Sequence, residues 1–285
     1  MVIECVDVSY RYQGSGPWAI DGVTLEVRPG ERMVITGPAG SGKTTLLQLM
    51  DALVLPVRGD VLFDGRSVRD LAARRELHAV RRRAGVLFQF PEDQFFHQSA
   101  YEELTFSLRN FFGSDEKEIH QRAASAASYL GLDTGRLKEV SPFSLSTGQK
   151  RRLALASALV MEPEILMLDE PTAGLDPAGR KDVARVISSL GETAVVVVTH
   201  NLEDFLGVAE RVVCLDAGRV VFDASVEDLL ARPDIARGYP FEIPLVVKAQ
   251  QWLRAGGLEL DGPSWDMDGL VRRLRLLAGM PENGE

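Results

Sequence analysis

The chain has 285 residues, 45% of them hydrophobic, and a net charge of -9, a size that suits one large α/β domain with a small appendage. The acidic balance argues against a protein that coats nucleic acid, and no stretch approaches the roughly 18 consecutive apolar residues of a membrane helix. Any membrane role must run through partners, and the start Met1-Val2-Ile3-Glu4 lacks the basic and apolar regions of a secretory signal, so a cytoplasmic location is expected.

Residues 2–12 and 20–28 alternate apolar and polar around the turn Gly14-Ser15-Gly16-Pro17, which predicts antiparallel strands. Arg32–Thr36 is a short apolar run between Gly30 and Gly37 and reads as a buried strand, followed at once by a helix over 44–53. The basic cluster Arg74, Arg75 and Arg81–Arg83 reads as a solvated helix face. Around 100–161 the apolar spacing turns helical, predicting a helical insertion within a sheet protein. Ile165–Leu168 and Ala194–Thr199 are buried strands flanking a helix from about Pro177 to Leu190, with Asp176 as N-cap and Gly191 as the stop; strand, helix, strand means a parallel sheet. Residues 211–223 form a hairpin around Ala217-Gly218. Cys5 and Cys214 lie in strand-like segments without metal-ligand spacing and read as buried thiols.

Past a boundary near residue 225, which divides 1–225 from 226–285, Pro233, Pro240 and Pro244 break the chain. Two short amphipathic helices are expected near 245–254 and 268–277, too short to stand alone; the stripe Leu245, Val246, Ala249, Trp252 and Leu253 must bury against the main domain or a partner.

Gly37-Pro38-Ala39-Gly40-Ser41-Gly42-Lys43-Thr44 fits a phosphate-binding loop in full and sits between a strand and a helix, as that pattern requires. Its glycines let backbone N–H groups converge on a phosphate at a helix N-terminus, Lys43 offsets phosphate charge, the Thr44 hydroxyl can ligate Mg²⁺, and Thr45 closes the nucleotide-binding stretch. Ile165–Leu168 runs into Asp169-Glu170, two carboxylates at the end of an apolar strand, where an unpaired charge costs several kcal/mol of desolvation. Asp169 suits the Mg²⁺ held by Thr44, and Glu170 suits a water-orienting or basic role. Leu145-Ser146-Thr147-Gly148-Gln149 precedes a Leu/Ala-rich helix and forms a second anion site, unless Ser146 is simply an N-cap. With one phosphate loop already serving the chain's own nucleotide, a second anion site suggests contact with another subunit's ATP.

Over roughly 2–225 the sequence resembles the ABC ATPases. The resemblance implies an α/β phosphate-loop fold with a mainly parallel core sheet, an antiparallel N-terminal β subdomain, a helical subdomain over about 100–161, and a C-terminal extension. It also implies ATP and Mg²⁺ as ligands. By it, Tyr12 (or, in another register, Tyr10) stacks on the base and Gln89 is the Q-loop glutamine, near both metal and catalysis. Leu145–Gln149 is similar to the signature, Ala173-Gly174-Leu175-Asp176 to the D-loop, and His200 to the switch histidine, while His78, His97 and His120 read as structural or solvated. Thr147 departs from the signature's usual glycine; a β-branched residue resists positive φ, so weaker binding of the partner's ATP is expected there.

Phe90-Pro91-Glu92-Asp93-Gln94-Phe95-Phe96 resembles the corresponding stretch of energy-coupling-factor importer ATPases, the cobalt and vitamin uptake branch. That implies a groove for a transmembrane coupling subunit, a separate substrate-capture membrane protein, a second ATPase subunit of the same or a related chain, and a peripheral position on the inner face of the membrane. Core packing is the competing reading of Phe95 and Phe96. Other ABC transporter classes remain alternatives. ABC proteins of DNA repair or chromosome maintenance are disfavoured by the absence of a long coiled coil between Lys43 and Ser146.

Overall fold

In the computed structural model the described residues are 1–14, 16–113, 115–232, 237–258, 260 and 262–279; Ser15 of the first turn and Pro233 lie outside them. The N-terminal part is a four-stranded antiparallel sheet of β1 (Ile3–Tyr10), β2 (Ile20–Val27), β4 (Arg58–Phe63) and β5 (Arg66–Ser67), in the order β2-β1-β4-β5. Between β2 and β4 the chain forms β3 (Arg32–Thr36) and α1 (Lys43–Met50). The predicted 44–53 helix stops early: Ala52 takes φ 54° just past it, which turns Leu53 out to solvent.

β3 lies in a second sheet of six strands, ordered β10-β9-β3-β8-β7-β6, with β6 (Ala84–Leu87), β7 (Ile165–Asp169), β8 (Ala194–Val198), β9 (Arg211–Asp216) and β10 (Arg219–Ser225). All pairings are parallel except the β9–β10 hairpin. β7 and β8 are buried at every residue, on both faces. Leu166, Leu168, Val195 and Val197 face one core while Ile165, Met167, Val196 and Val198 face the other, so the period of two survives inside runs that look uniformly apolar. Each such side chain contributes roughly 1.5–3 kcal/mol by burial.

Two short helices, α2 (Val68–Ala73) and α3 (Leu77–Arg81), lead into β6. The basic cluster around them is not uniformly solvated. Arg83 bridges Glu164 and Asp64, with Nε 2.6 Å from Glu164 Oε1, and Arg81 Nη2 donates to the Ala52 carbonyl at 2.9 Å.

Between β6 and β7 the chain leaves the sheet for α4 (Ala100–Phe112), α5 (Glu116–Tyr129), α6 (Thr134–Glu139) and α7 (Thr147–Leu159). Ser99 opens α4 with a reciprocal capping box to Glu102. α8 (Pro177–Ser188) follows β7, with Asp176 accepting the Gly179 N–H at 2.8 Å as its cap. It ends two residues before the expected Leu190.

After β10 come α9 (Val226–Ala231), α10 (Leu245–Ala255) and α11 (Met267–Leu277). Val226, Leu229, Val246, Val247 and Leu270 join the same core cluster as Leu166 and Val195. The α10 stripe divides: Val246 is buried, Ala249 and Leu253 pack against that core, and Leu245 and Trp252 are exposed, Trp252 by 68%. Cys5 and Cys214 are buried free thiols, both pushed up by burial, to about 12 and about 11.

Candidate active site

The C-terminal ends of β6, β7, β8 and β3 lie side by side, because Leu87 is in register with Leu168, Asp169 with Val198, and Ile35 with Val198. The segments that follow them carry Gln89, Glu170, His200 and the phosphate loop, so four sequence-distant stretches converge on one edge of the sheet, the usual ligand position in open α/β sheets.

Gly37 and Gly42 are demanded by neighbours as well as by positive φ. A Cβ on Gly37 would lie 2.0 Å from the Leu215 carbonyl oxygen, and one on Gly42 2.3 Å from that of Ala19. Gly42 is the N-cap of α1 and has no side chain to occupy the first N–H groups of the helix. Lys43 Nζ donates to the carbonyls of Gly37 and Pro38, 2.8 Å each, pinning the loop across its mouth. Its pKa is lowered by burial, against the raising charges of Glu170 and Asp169.

Thr44 Oγ1 donates to Asp169 Oδ2 at 2.7 Å. Asp169 is buried and its carboxyl is pushed up by that burial and by the charge of Glu170, while the Thr44 hydrogen bond and Lys43 pull it down. Glu170 takes φ 49°, a left-handed conformation costing about 1–3 kcal/mol in a non-glycine residue, and is held there by donors. The His200 backbone N–H and ring Nδ1 reach its Oε1 at 3.0 and 2.9 Å, and the Thr199 hydroxyl donates to Oε2 at 3.3 Å. A carboxylate only accepts, so Nδ1 carries the proton in this pairing.

Tyr12 places its hydroxyl 2.8 Å from Thr45 Oγ1 and 3.2 Å from Gln48 Oε1, leaving its ring exposed beside α1. Tyr10 packs edge-on behind it, with ring centroids 5.1 Å apart. Pro38, Ala39 and Gly40 form the outer part of the loop, and Ser41 is buried at its base. Gln89 is exposed and, among the described residues, makes no hydrogen bond.

Ser146 and Gln149 form a capping box on α7: Ser146 Oγ accepts the Gln149 N–H at 3.4 Å and Gln149 Oε1 accepts the Ser146 N–H at 3.1 Å. No hydrogen bond among the described residues joins Ser146, Thr147, Gly148 or Gln149 to the chain's own loop 37–45. Thr147 is the first helical residue of α7 and neither it nor Gly148 has positive φ, so a β-branched side chain meets no strain there.

The aromatic pair after Gln89 splits. Phe95 is 8% exposed and belongs to the core, while Phe96 is 61% exposed and stacks edge-on against Phe106, itself exposed, at 5.0 Å. Glu103 fixes this turn by accepting the N–H groups of Phe96 and His97, both at 3.0 Å. His97 also reaches Glu103 with its ring, His120 contacts the Tyr101 hydroxyl and His78 the Arg75 carbonyl. Sequence reasoning missed Thr199, Gln48 and Glu103, which are polar residues with no motif of their own; only the adjacency of Thr199 to His200 marked it.

The family model described as ABC transporter matches residues 20–173. The energy-coupling factor transporter ATP-binding protein EcfA2 of Symbiobacterium thermophilum is 39% identical over 95% of this chain and 95% of its own length. EcfA2 of Thermotoga maritima is 38% identical, covering 82% and 86%. Among solved structures, cbiO1 from Clostridium perfringens, described as part of the ABC transporter complex cbiONQ, superposes with a TM-score of 0.73 at 29% identity, over 87% of this chain and 98% of that one. A dimeric bacterial ABC transporter cassette gives 0.70 at 30% identity, over 79% and 98%. The chain belongs to the ABC transporter family, in the branch of the energy-coupling factor transporter ATP-binding proteins.

Proposed function

We propose that the chain is one half of an ATP sandwich that energises an energy-coupling-factor importer. ATP binding and hydrolysis are the activity of its family. In this reading Gly37–Thr45 holds MgATP with Tyr12 on the base, while Ser146, Thr147, Gly148, Gln149 and Asp176 face the nucleotide of a second ATPase subunit. The relationship that carries it is the convergence of a complete phosphate loop with a Thr44–Asp169 pair and a Glu170 held by Thr199 and His200.

Thr44, Asp169 and Gln89 offer the hard oxygen donors that Mg²⁺ prefers, with phosphate and water completing its shell. Asp169 is buried, and a cation beside it would offset the cost of holding its charge there. The ion would neutralise charge between phosphates. Glu170 orients and deprotonates the attacking water, and His200, its Nδ1 turned to Glu170, leaves Nε2 for the terminal phosphate.

The ATP-binding unit is assigned to 1–225, with the helical subdomain at about 100–161. Residues 226–285 are assigned to subunit contact, supported by the exposed Leu245 and Trp252. No helix of the described residues is long and apolar enough to cross a membrane. The chain sits peripherally on the inner face, through a transmembrane coupling subunit, with Phe96 and Phe106 at the docking groove and a separate membrane protein capturing a vitamin or transition-metal ion. The names of the relatives and the cbiONQ neighbour support that assignment. Copurification of the chain with membrane subunits, followed by identification of the bound small molecule and ATP-dependent uptake in vesicles, tests it; a chain that purifies alone and leaves uptake unchanged when deleted would overturn it.

A further inference from the structure

Arg151 lies in the second turn of α7, whose N-cap is Ser146, and it is 6% exposed, unusual burial for an arginine. Its Nη2 donates to the Ala173 carbonyl at 2.9 Å. The N–H of the same Ala173 donates to the Glu170 carbonyl at 3.2 Å. A continuous chain of two hydrogen bonds therefore runs from the helix that begins at Ser146 to the backbone of the strained Glu170. At its other end the same loop is held by Arg180, whose Nε donates to the Leu175 carbonyl at 3.1 Å.

We infer that Arg151 is a positioning residue: it locks the α7 N-terminus to the loop 173–176 and so sets the backbone of Glu170 according to where α7 sits. The inference rests on the two-subunit reading above, in which α7 and this loop face one nucleotide and Glu170 serves the other. A guanidinium suits the task because its planar charged donors bind a carbonyl more strongly than a neutral donor does. A shift of α7 as Ser146 meets the partner's nucleotide would reach Glu170 through one residue, Ala173, which links the two sites of the dimer.

Arg151→Met keeps the apolar stem and its burial and removes the donor. ATP affinity of the variant chain, by equilibrium titration, is expected to stay within about twofold, because Lys43 and the loop 37–45 are untouched. Its kcat in the assembled ATPase dimer is expected to fall about tenfold, because Glu170 loses the backbone support that holds it in place for the attacking water. Thermal melting establishes that the variant is folded; should Arg151→Met fail to fold, Arg151→Gln, which retains a polar tip too short to span the gap, is read by the same two measurements. A folded variant with kcat within about twofold of the parent, or one that loses affinity while keeping kcat, overturns the inference. Glu170→Gln runs in parallel: absence of an ATP-dependent dimer there overturns the two-subunit reading itself, whereas a normal dimer beside an unaffected Arg151→Met sinks this inference alone.

Discussion

Glu170 receives two donors from His200 on one oxygen: the backbone N–H at 3.0 Å and the ring Nδ1 at 2.9 Å both meet Oε1. The ring is tied to the carboxylate at one nitrogen and exposed over most of its surface, so the pair is held together yet reachable by substrate. Glu170→Gln keeps the shape and removes the charge. ATP binding should persist while turnover falls about a hundredfold or more, the range of a lost general base. A variant hydrolysing at near the parent rate would remove Glu170 from that role.

Lys43→Ala should abolish nucleotide binding rather than slow turnover. The ammonium spans the Gly37 and Pro38 carbonyls and is the cation nearest the expected phosphates. Equilibrium titration with labelled ATP reads this directly, and retained affinity with lost turnover would contradict it.

ATP should promote a head-to-tail dimer in which Ser146 and Gly148 of one subunit face the phosphate held by Lys43 of the other. Ser146 and Thr147 are exposed, and among the described residues the side-chain bonds of Ser146 and Gln149 are those of their own capping box, which leaves the end of the helix presented outward. Light scattering of Glu170→Gln, with and without ATP, checks it. An unchanged mass at high protein concentration counts against the sandwich.

Phe95 and Phe96 should separate under mutation. Phe95→Ala removes a core ring and is expected to cost about 3–5 kcal/mol of stability. Phe96→Ala removes an exposed ring and should leave melting and soluble ATPase rate nearly unchanged while reducing the yield of the membrane complex, since anchor aromatics dominate interface energy. Loss of stability in step with complex yield for Phe96→Ala would return it to the core.

Asp51 is buried at the end of α1, and burial raises its carboxyl from 3.8 to about 7 against the attraction of Arg81. The folded state therefore binds the proton more tightly than the unfolded chain. The stability this contributes is complete below about pH 4 and is lost as pH rises through about 7. Asp51→Asn removes that dependence, so the variant should gain melting temperature relative to the parent at pH 8 and lose the advantage near pH 5. Parallel melting curves across that window would show Asp51 to be uninvolved.

The catalytic motifs were legible in the sequence because each is a local constraint. A phosphate loop needs its glycines within eight residues of one another, the strand before Asp169 has to be apolar on both faces, and a helix after Asp176 needs its cap next door. Strands β4 and β6 escaped the reading because their identity comes from the partners they pair with across the sheet, not from a period of their own. The same reason hid Thr199, Glu103 and Arg151, whose roles depend on residues from 6 to 29 positions away. Tertiary structure alone decided that Phe95 turns inward and Phe96 outward, that Thr147 begins a helix without strain, and that Arg83 is paired instead of solvated. Sequence spacing specifies which side chains share a face of one element; which face is covered, and by what, is settled only when distant elements pack.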